Sequence, residues 1–314
     1  MKVTKSRSFS ILLVVLLSIS SLVILNVKAQ QYDTIIINSD GSINPINAPL
    51  TKQGNVYTVT ADYSSLTVKR NNSILDGNGH TFTGMGQTIS VVAASNVTIK
   101  NFIIIGSNVG ISLDTSSNIT VSNNTITEVT ALIPEVMQTA GIIIWRGKNH
   151  TITGNQIANN YVGIWIGSYS MHNLIVANNI LNNNYGISVY NSSDNTAYHN
   201  NFINNTQNYN SADSSINQWD KGTTGNYWNN YNGSDNDRDG IGDSPYIIDE
   251  NNQDNYPLMN SISTIEPTPT PDADRMGPPP DIPEWVIWIL IIITTVAMIL
   301  LAITLNRNRS KKRS

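Results

Sequence analysis

The sequence predicts an all-β fold, a right-handed parallel β-helix built from coils of about 22 residues, followed by a single transmembrane helix. Three observations predict it: phrases that recur at a fixed spacing, alternating aliphatic runs too short for helices, and asparagine-rich breaks between those runs. Ser95-Asn96-Val97-Thr98-Ile99 returns 22 residues later as Ser117-Asn118-Ile119-Thr120-Val121. The phrase Gly-Ile-x-aliphatic begins at Gly110, Gly141, Gly163 and Gly186, at spacings of 31, 22 and 23. Internal repetition with a period of about 20–50 residues is the signature of a solenoid.

Each coil follows from its residues. Val97/Ile99, Ile103/Ile105 and Ile111/Leu113 alternate with period two, which marks strands, and each pair is expected to point inward. Three strands and three turns close one rung, and rungs stack in parallel at about 4.8 Å. Ile111, Ile142, Ile164 and Ile187 should then form one inward column. The 44 asparagines cluster between the runs, where Asn tolerates left-handed backbone angles. Equivalent Asn side chains in successive rungs can also bond into a ladder. Asn101, Asn123, Asn155, Asn178 and Asn200 are the expected members of one such ladder.

Along the chain, 1–29 reads as a secretory signal: Lys2, Lys5 and Arg7, an apolar core from Phe9 to Leu25, then Val27-Lys28-Ala29. Residues 30–218 read as an N-terminal cap, placed at Tyr32–Thr60, and the β-helix. The 31-residue spacing places an insertion of about nine residues at Glu128–Gln138. Residues 219–264 lose the repeat and read as a C-terminal cap with an acidic loop. The stretch 265–284 is rich in proline and reads as a semi-rigid stalk. Trp285–Leu305 carries no charge over 21 residues, enough to span a ~30 Å hydrocarbon core. The basic tail 306–314 then places the C-terminus in the cytoplasm and the body outside the membrane.

The eighteen Lys and Arg divide evenly, nine at the two ends and nine in the body, whereas all 22 acidic residues lie between Asp33 and Glu284. A body with net charge −13 repels phosphate backbones and excludes nucleic acid as a partner. The absence of cysteine excludes disulfides, thiolate metal sites and a cysteine nucleophile.

Three phrases carry a family resemblance. They are the opening Thr34–Ile43 with Gly54–Thr58, the phrase Ile74-Leu75-Asp76-Gly77-Asn78-Gly79-His80-Thr81, and the closing Gly225–Tyr231 through Asp239–Tyr246. Together they resemble NosD-like surface proteins, part of the carbohydrate-binding and sugar-hydrolase β-helix group. The resemblance runs from about Thr34 to Met259 and implies a parallel β-helix and a glycan or cell-envelope partner. It also raises copper, because the family name comes from a protein that helps mature a copper site. The chain offers only His80, His150, His172 and His199, no cysteine and no paired methionines, a poor set for copper.

Glycoside chemistry needs two carboxylates at a defined separation. Asp76, Asp114, Glu128, Glu135 and Asp194 are scattered over turns, and Asp76 reads as a turn residue. A sharper signal is Asp235-Asn236-Asp237-Arg238-Asp239-Gly240-Ile241-Gly242-Asp243, whose alternate acids at Asp235, Asp237, Asp239 and Asp243 suit a calcium ion. Sequons begin at Asn71, Asn96, Asn118, Asn123, Asn149, Asn191, Asn204 and Asn232, and Asn123, as a ladder member, should be buried.

With the aliphatics of the Gly-Ile phrase inward, alternation forces Trp145, Trp165 and Tyr190 outward on one sheet. Exposed flat aromatics suit the C–H faces of sugars, and Asp114 and Arg146 are expected at their rim. The expectation is therefore a surface-anchored β-helix that binds a glycan or another surface ligand. A polysaccharide-active enzyme and a purely structural or adhesive module are the competing classes.

Overall fold

A computed structural model describes residues 34–263, apart from Met85, 131–138, Ala212 and Ser214. The expected signal, stalk, membrane span and tail, and most of the expected insertion, lie outside the described residues. Among the described residues there is no helix, and so none long and apolar enough to cross a membrane.

The chain winds as a right-handed parallel β-helix of about seven coils with three sheet faces. The first sheet has nine strands and contains Val109–Asp114, Ala140–Trp145, Val162–Gly167 and Tyr185–Tyr190 in consecutive coils. The second has eight, among them Thr120–Ser122, Thr151–Thr153 and Leu174–Val176. The third has seven, among them Thr125–Thr127, Gln156–Ala158 and Asn179–Leu181.

Register follows the spacing. Ile111 pairs with Ile142, Ile142 with Ile164 and Ile164 with Ile187, and all four are at most 1% exposed. The same column runs back through Ile89 and Leu66 to Ile35, and forward to Tyr209. Tyr57, Leu75, Ile99, Val121, Ile152, Ile175 and Ala197 fill the core from the second sheet. Each fully buried aliphatic contributes about 1.5–3 kcal/mol of transfer free energy, so these columns are the main source of stability in a chain without disulfides.

The third sheet corrects one expectation. Ile104, not Ile103 and Ile105, points into the core, in a column with Phe82, Ile126, Ile157, Ile180, Phe202 and Trp228. These strands span only three residues between two corners, so a single central side chain can face inward.

The repeated glycine of the Gly-Ile phrase sits at the corner entering the first sheet. A Cβ on Gly163 would lie 2.5 Å from the Gly186 carbonyl oxygen of the next coil, and any side chain would force the coils apart.

The asparagines divide into two populations. The ladder between the second and third sheets is Asn124, Asn155, Asn178, Asn200 and Asn226, each Nδ2 donating to the next Oδ1 at 2.9–3.0 Å. Each backbone N–H donates to the same acceptor, so one amide oxygen takes two bonds per rung. Asn101 and Asn123 were expected in this ladder and stand outside it. They occupy the preceding turn position, with φ of 59° and 55°, and Asn123 is exposed. The residue after Asn101 that takes the ladder position is Phe102, whose N–H donates to Asn124. All eight sequon asparagines are exposed, Asn123 included.

Residues beyond Trp219 close the far end of the stack. Trp228 stacks on Phe202 at 4.2 Å and on Tyr246 at 4.4 Å, which covers the last inward position of the third sheet with aromatic rings. Asp254 then terminates the ladder. Its Oδ2 accepts from the Asn226 backbone N–H at 2.7 Å and from Trp228 Nε1 at 2.9 Å, and its Oδ1 accepts from Tyr256 N–H at 3.0 Å.

Candidate functional site

The outer face of the first sheet carries the aromatic residues. Leu113, Ile144, Ile166 and Val189 point inward, so the next residue in each strand faces out: Asp114, Trp145, Gly167 and Tyr190, in register from coil to coil. Trp165 lies one outward position earlier, in register with Ile143 and Ser188.

Glycine closes that offset. Gly167 leaves no side chain beside Trp145, and the ring of Trp165 lies over it: a Cβ there would fall 2.1 Å from Trp165 Cη2. The two indoles stack with centroids 5.2 Å apart and planes at 13°. Both rings are half-buried, supported by Val109, Ala140, Ile143 and Val162, which form an apolar cluster outside the main core. Tyr190, 46% exposed, stands in the same column one coil past Gly167.

On its other side Trp145 borders a groove of about 440 Å³ lined by Gln87, Asn108, Val109, Ser112, Asp114 and Ile143. That volume falls in the range of small-molecule sites, about 300–1,000 Å³. Asp114 and Arg146 form an ion pair at 3.2 Å, and Asp114 Oδ1 also accepts from Thr115 Oγ1 at 2.8 Å. The structure thus brings Asp114, Arg146, Trp145 and Trp165 together, with Tyr190 at the end of the row.

The acidic loop gathers three of its four aspartates. Carboxylate oxygens of Asp235, Asp237 and Asp239 lie within 4.8 Å of one another. Oxygens bound to one calcium at about 2.4 Å lie at most about 4.8 Å apart, so the three fit one ion. Asp243 does not join them. Its Oδ2 accepts from the Asn236 backbone N–H at 2.9 Å and from Asn236 Nδ2 at 2.6 Å, and it braces the loop instead. Asp235 Oδ1 is buried without a hydrogen-bond partner, while Oδ2 accepts from Gly240 N–H.

Asp76 is a turn residue in the structure. Burial works to raise its carboxyl, but Asn101, the Asn78 N–H and Lys100 outweigh it and hold the group below its ordinary value.

Two buried titratable groups escaped the sequence reading. His150 occupies a second ladder, between the first and second sheets, where later coils place Asn173, Asn195 and Asn217. Its Nδ1 accepts from the Ile119 N–H at 3.0 Å, so the ring is neutral, and burial pushes its pKa down to about 4. Burial pushes Asp254 up to about 6 against the N–H donors that favour the carboxylate. The spacing of the 173, 195 and 217 asparagines was a usable signal for the second ladder; nothing in the repeat announces Asp254.

Fold and site together define a right-handed parallel β-helix with an aromatic outer face. The chain belongs to the NosD family, described as "Periplasmic copper-binding protein (NosD)", whose profile matches residues 22–233. The match includes Gly225–Tyr231 of the closing phrase and ends before Asp239–Tyr246. No curated protein matches the chain in sequence. Among solved structures, the periplasmic alginate epimerase AlgG aligns at 18% identity over 57% of this chain and 39% of its own, with a TM-score of 0.38. The enzymatically active domain of bacteriophage CBA120 tailspike protein 2 aligns at 17% over 51% and 26%, TM-score 0.40. An alginate lyase from Paenibacillus sp. aligns at 14% over 49% and 70%, TM-score 0.30. The chain spans well under half the length of the epimerase and the tailspike, and a likeness at this level is one of fold alone.

The family description names copper, and the described residues do not build a copper centre. His150 is locked in the ladder, His80 Nδ1 meets Asp62 at 3.1 Å, His199 Nε2 meets Thr224 at 2.8 Å, and His172 is exposed on a turn. Among the described residues the grouping of three ligand side chains found is Asp235, Asp237 and Asp239, an all-oxygen set for a hard cation.

Proposed function

We propose that this NosD-family protein is an extracytoplasmic, membrane-anchored β-helix that binds glycan on the outer face of its first sheet. The observation that carries the reading is the stacked Trp145–Trp165 pair beside a polar-rimmed groove. Stacking fixes both rings before a ligand arrives, so little side-chain entropy is lost on binding. Trp165 covers one side of Trp145, which leaves its groove side to receive the apolar face of a sugar ring. Gln87, Ser112 and Asp114 supply acceptors and donors for its hydroxyls. The family's periplasmic description supports the location, and the uncharged Trp285–Leu305 with its basic tail supports the anchor.

A glycan array, followed by titration of the best hit, tests this. Trp145→Ala and Trp165→Ala should each weaken binding by tenfold or more, a loss of about 1.4 kcal/mol or more, with a melting temperature close to that of the parent. Gly167→Ala should weaken binding too, because it displaces the Trp165 ring while keeping both indoles. Loss of stability in the tryptophan variants with no glycan bound by the parent would mean that the rings serve only as packing.

We also propose that Asp235, Asp237 and Asp239 hold a calcium ion that stiffens the closing loop. At free calcium a hundredfold above the dissociation constant, binding adds about 2.7 kcal/mol of stability. A chelator should therefore lower the melting temperature, and Asp237→Ala should abolish the difference between chelated and calcium-loaded protein. Superimposable melting curves for the parent with and without chelator would refute the ion.

A further inference from the structure

The body is acidic overall, yet three of its cations meet at the opening of the solenoid without forming an ion pair among the described residues. Lys52, Lys69 and Arg70 surround the turn 38–42. Lys52 Nζ donates to the Gly41 carbonyl at 2.7 Å, and Arg70 Nη1 donates to the Asp40 carbonyl at 2.9 Å. Carbonyl contacts anchor these side chains but cancel no charge. Among the described residues the ion pairs are His80–Asp62, Lys100–Asp76 and Arg146–Asp114, and none involves this group. The one acid of the turn, Asp40, turns its carboxylate to the N–H and hydroxyl of Ser42, with Lys52 as a weaker electrostatic neighbour, so the cations outnumber it.

Beside the turn lies an open groove of about 560 Å³ whose wall includes Lys69, Arg70, Asn71 and Asn72, with Asp40 as its one acidic residue. Both amides are fixed by their oxygens. Asn71 Oδ1 accepts from the Ser95 N–H, and Asn72 Oδ1 accepts from Asn96 Nδ2, each at 2.9 Å. Their NH₂ groups are the ends left for a ligand. Arg70 Nε is buried without a partner, so the guanidinium is anchored at Nη1 with its donor set unfilled.

Two cations and two amide donors, with the amide acceptors already used, are chemistry for an oxyanion. We propose that this N-terminal groove binds a sulfate- or carboxylate-type oxyanion, held by Lys69, Arg70, Asn71 and Asn72. The net negative charge of the body does not defeat it. Charges beyond a Debye length of about 8 Å at physiological ionic strength are largely screened, and the local balance is positive. The oxyanion is either a free ion or a substituent on a polysaccharide, and the site is independent of the tryptophan platform.

The test uses the full chain in detergent, made without N-glycosylation because Asn71 opens a sequon. Calorimetric titrations with sodium sulfate, dextran sulfate and neutral dextran separate the sources. Dextran sulfate should bind saturably, dextran should not, and the affinity should fall as salt is raised. Lys69→Gln and Arg70→Gln should each weaken binding about tenfold, the value of one charge-assisted hydrogen bond, while Trp145→Ala leaves it unchanged. Competition by millimolar sulfate assigns the site to the free ion; its absence assigns it to the polymer-borne group. Arg70 also anchors the turn, so Lys69→Gln, at an exposed residue, decides the matter if the Arg70 variant does not fold. No saturable binding of either sulfate probe, or equal binding by the parent and Lys69→Gln, overturns the proposal.

Discussion

Replacing His150 with Asn should make the protein more stable in acid, and replacing Asp254 with Asn should make it less so. His150 titrates at about 4 in the fold against an ordinary 6.5. Its contribution is fully present above 6.5 and is lost as pH falls through about 4, because the unfolded chain takes up the proton first. Asp254 titrates at about 6 against an ordinary 3.8. Its contribution is fully present below 3.8 and is lost as pH rises through about 6. Each swing is about 3 kcal/mol, and between about pH 4 and 6 the two run in opposite directions. The parent should therefore show a nearly flat stability profile in that window.

Each substitution removes one limb and exposes the other. His150→Asn installs the residue that later coils use in the same ladder position, and its Oδ1 can accept the Ile119 N–H that Nδ1 accepts now. Its stability should climb by about 3 kcal/mol as pH falls from 6.5 toward 4. Asp254→Asn should fall by a similar amount over that interval. Asp40, Asp76 and Asp213, all held below their ordinary value, lose their contributions only as pH falls below 3.8 and do not disturb the window. Urea unfolding midpoints at four pH values between 4 and 7 would read the slopes; parallel profiles for parent and both variants would sink the account.

Period-two alternation and the coil spacing made the first-sheet columns legible, because Ile111, Ile142, Ile164 and Ile187 share both a phrase and a register. Chemistry that looks the same on neighbouring residues defeated the finer register. In Asn123-Asn124 one residue takes the left-handed turn and the next enters the ladder, and both recur at coil spacing. In Ile103-Ile104-Ile105 nothing alternates, although Thr125-Ile126-Thr127 one coil on shows that the middle residue is buried. Trp145 and Trp165 were readable as outward, but their stacking depends on a ring leaning over Gly167, a matter of reach rather than parity. Asp254 lies outside the repeat, so its place at the ladder's end follows only from how the closing segment folds back.

Asn178→Ala should be among the most damaging single changes outside the aliphatic core. Its Oδ1 accepts the Asn155 backbone N–H at 3.0 Å and Asn155 Nδ2 at 2.9 Å, and its Nδ2 donates to the Ile152 carbonyl at 2.8 Å and to Asn200 Oδ1 at 3.0 Å. All of these groups are buried, and alanine gives them no partner. Each stranded polar group costs about 1–3 kcal/mol, so two or more together should remove about 4 kcal/mol. The loss should be local, since each coil of a solenoid leans only on its neighbours. Hydrogen exchange should therefore quicken first at Ile152–Asn155 and Asn178–Asn200 rather than across the whole body. Asn184→Ala, at an exposed position in the same coil, provides the control and should stay within about 0.5 kcal/mol of the parent. Equal unfolding midpoints for the two variants would show that the ladder is ornamental and that the aliphatic columns alone hold the coils in register.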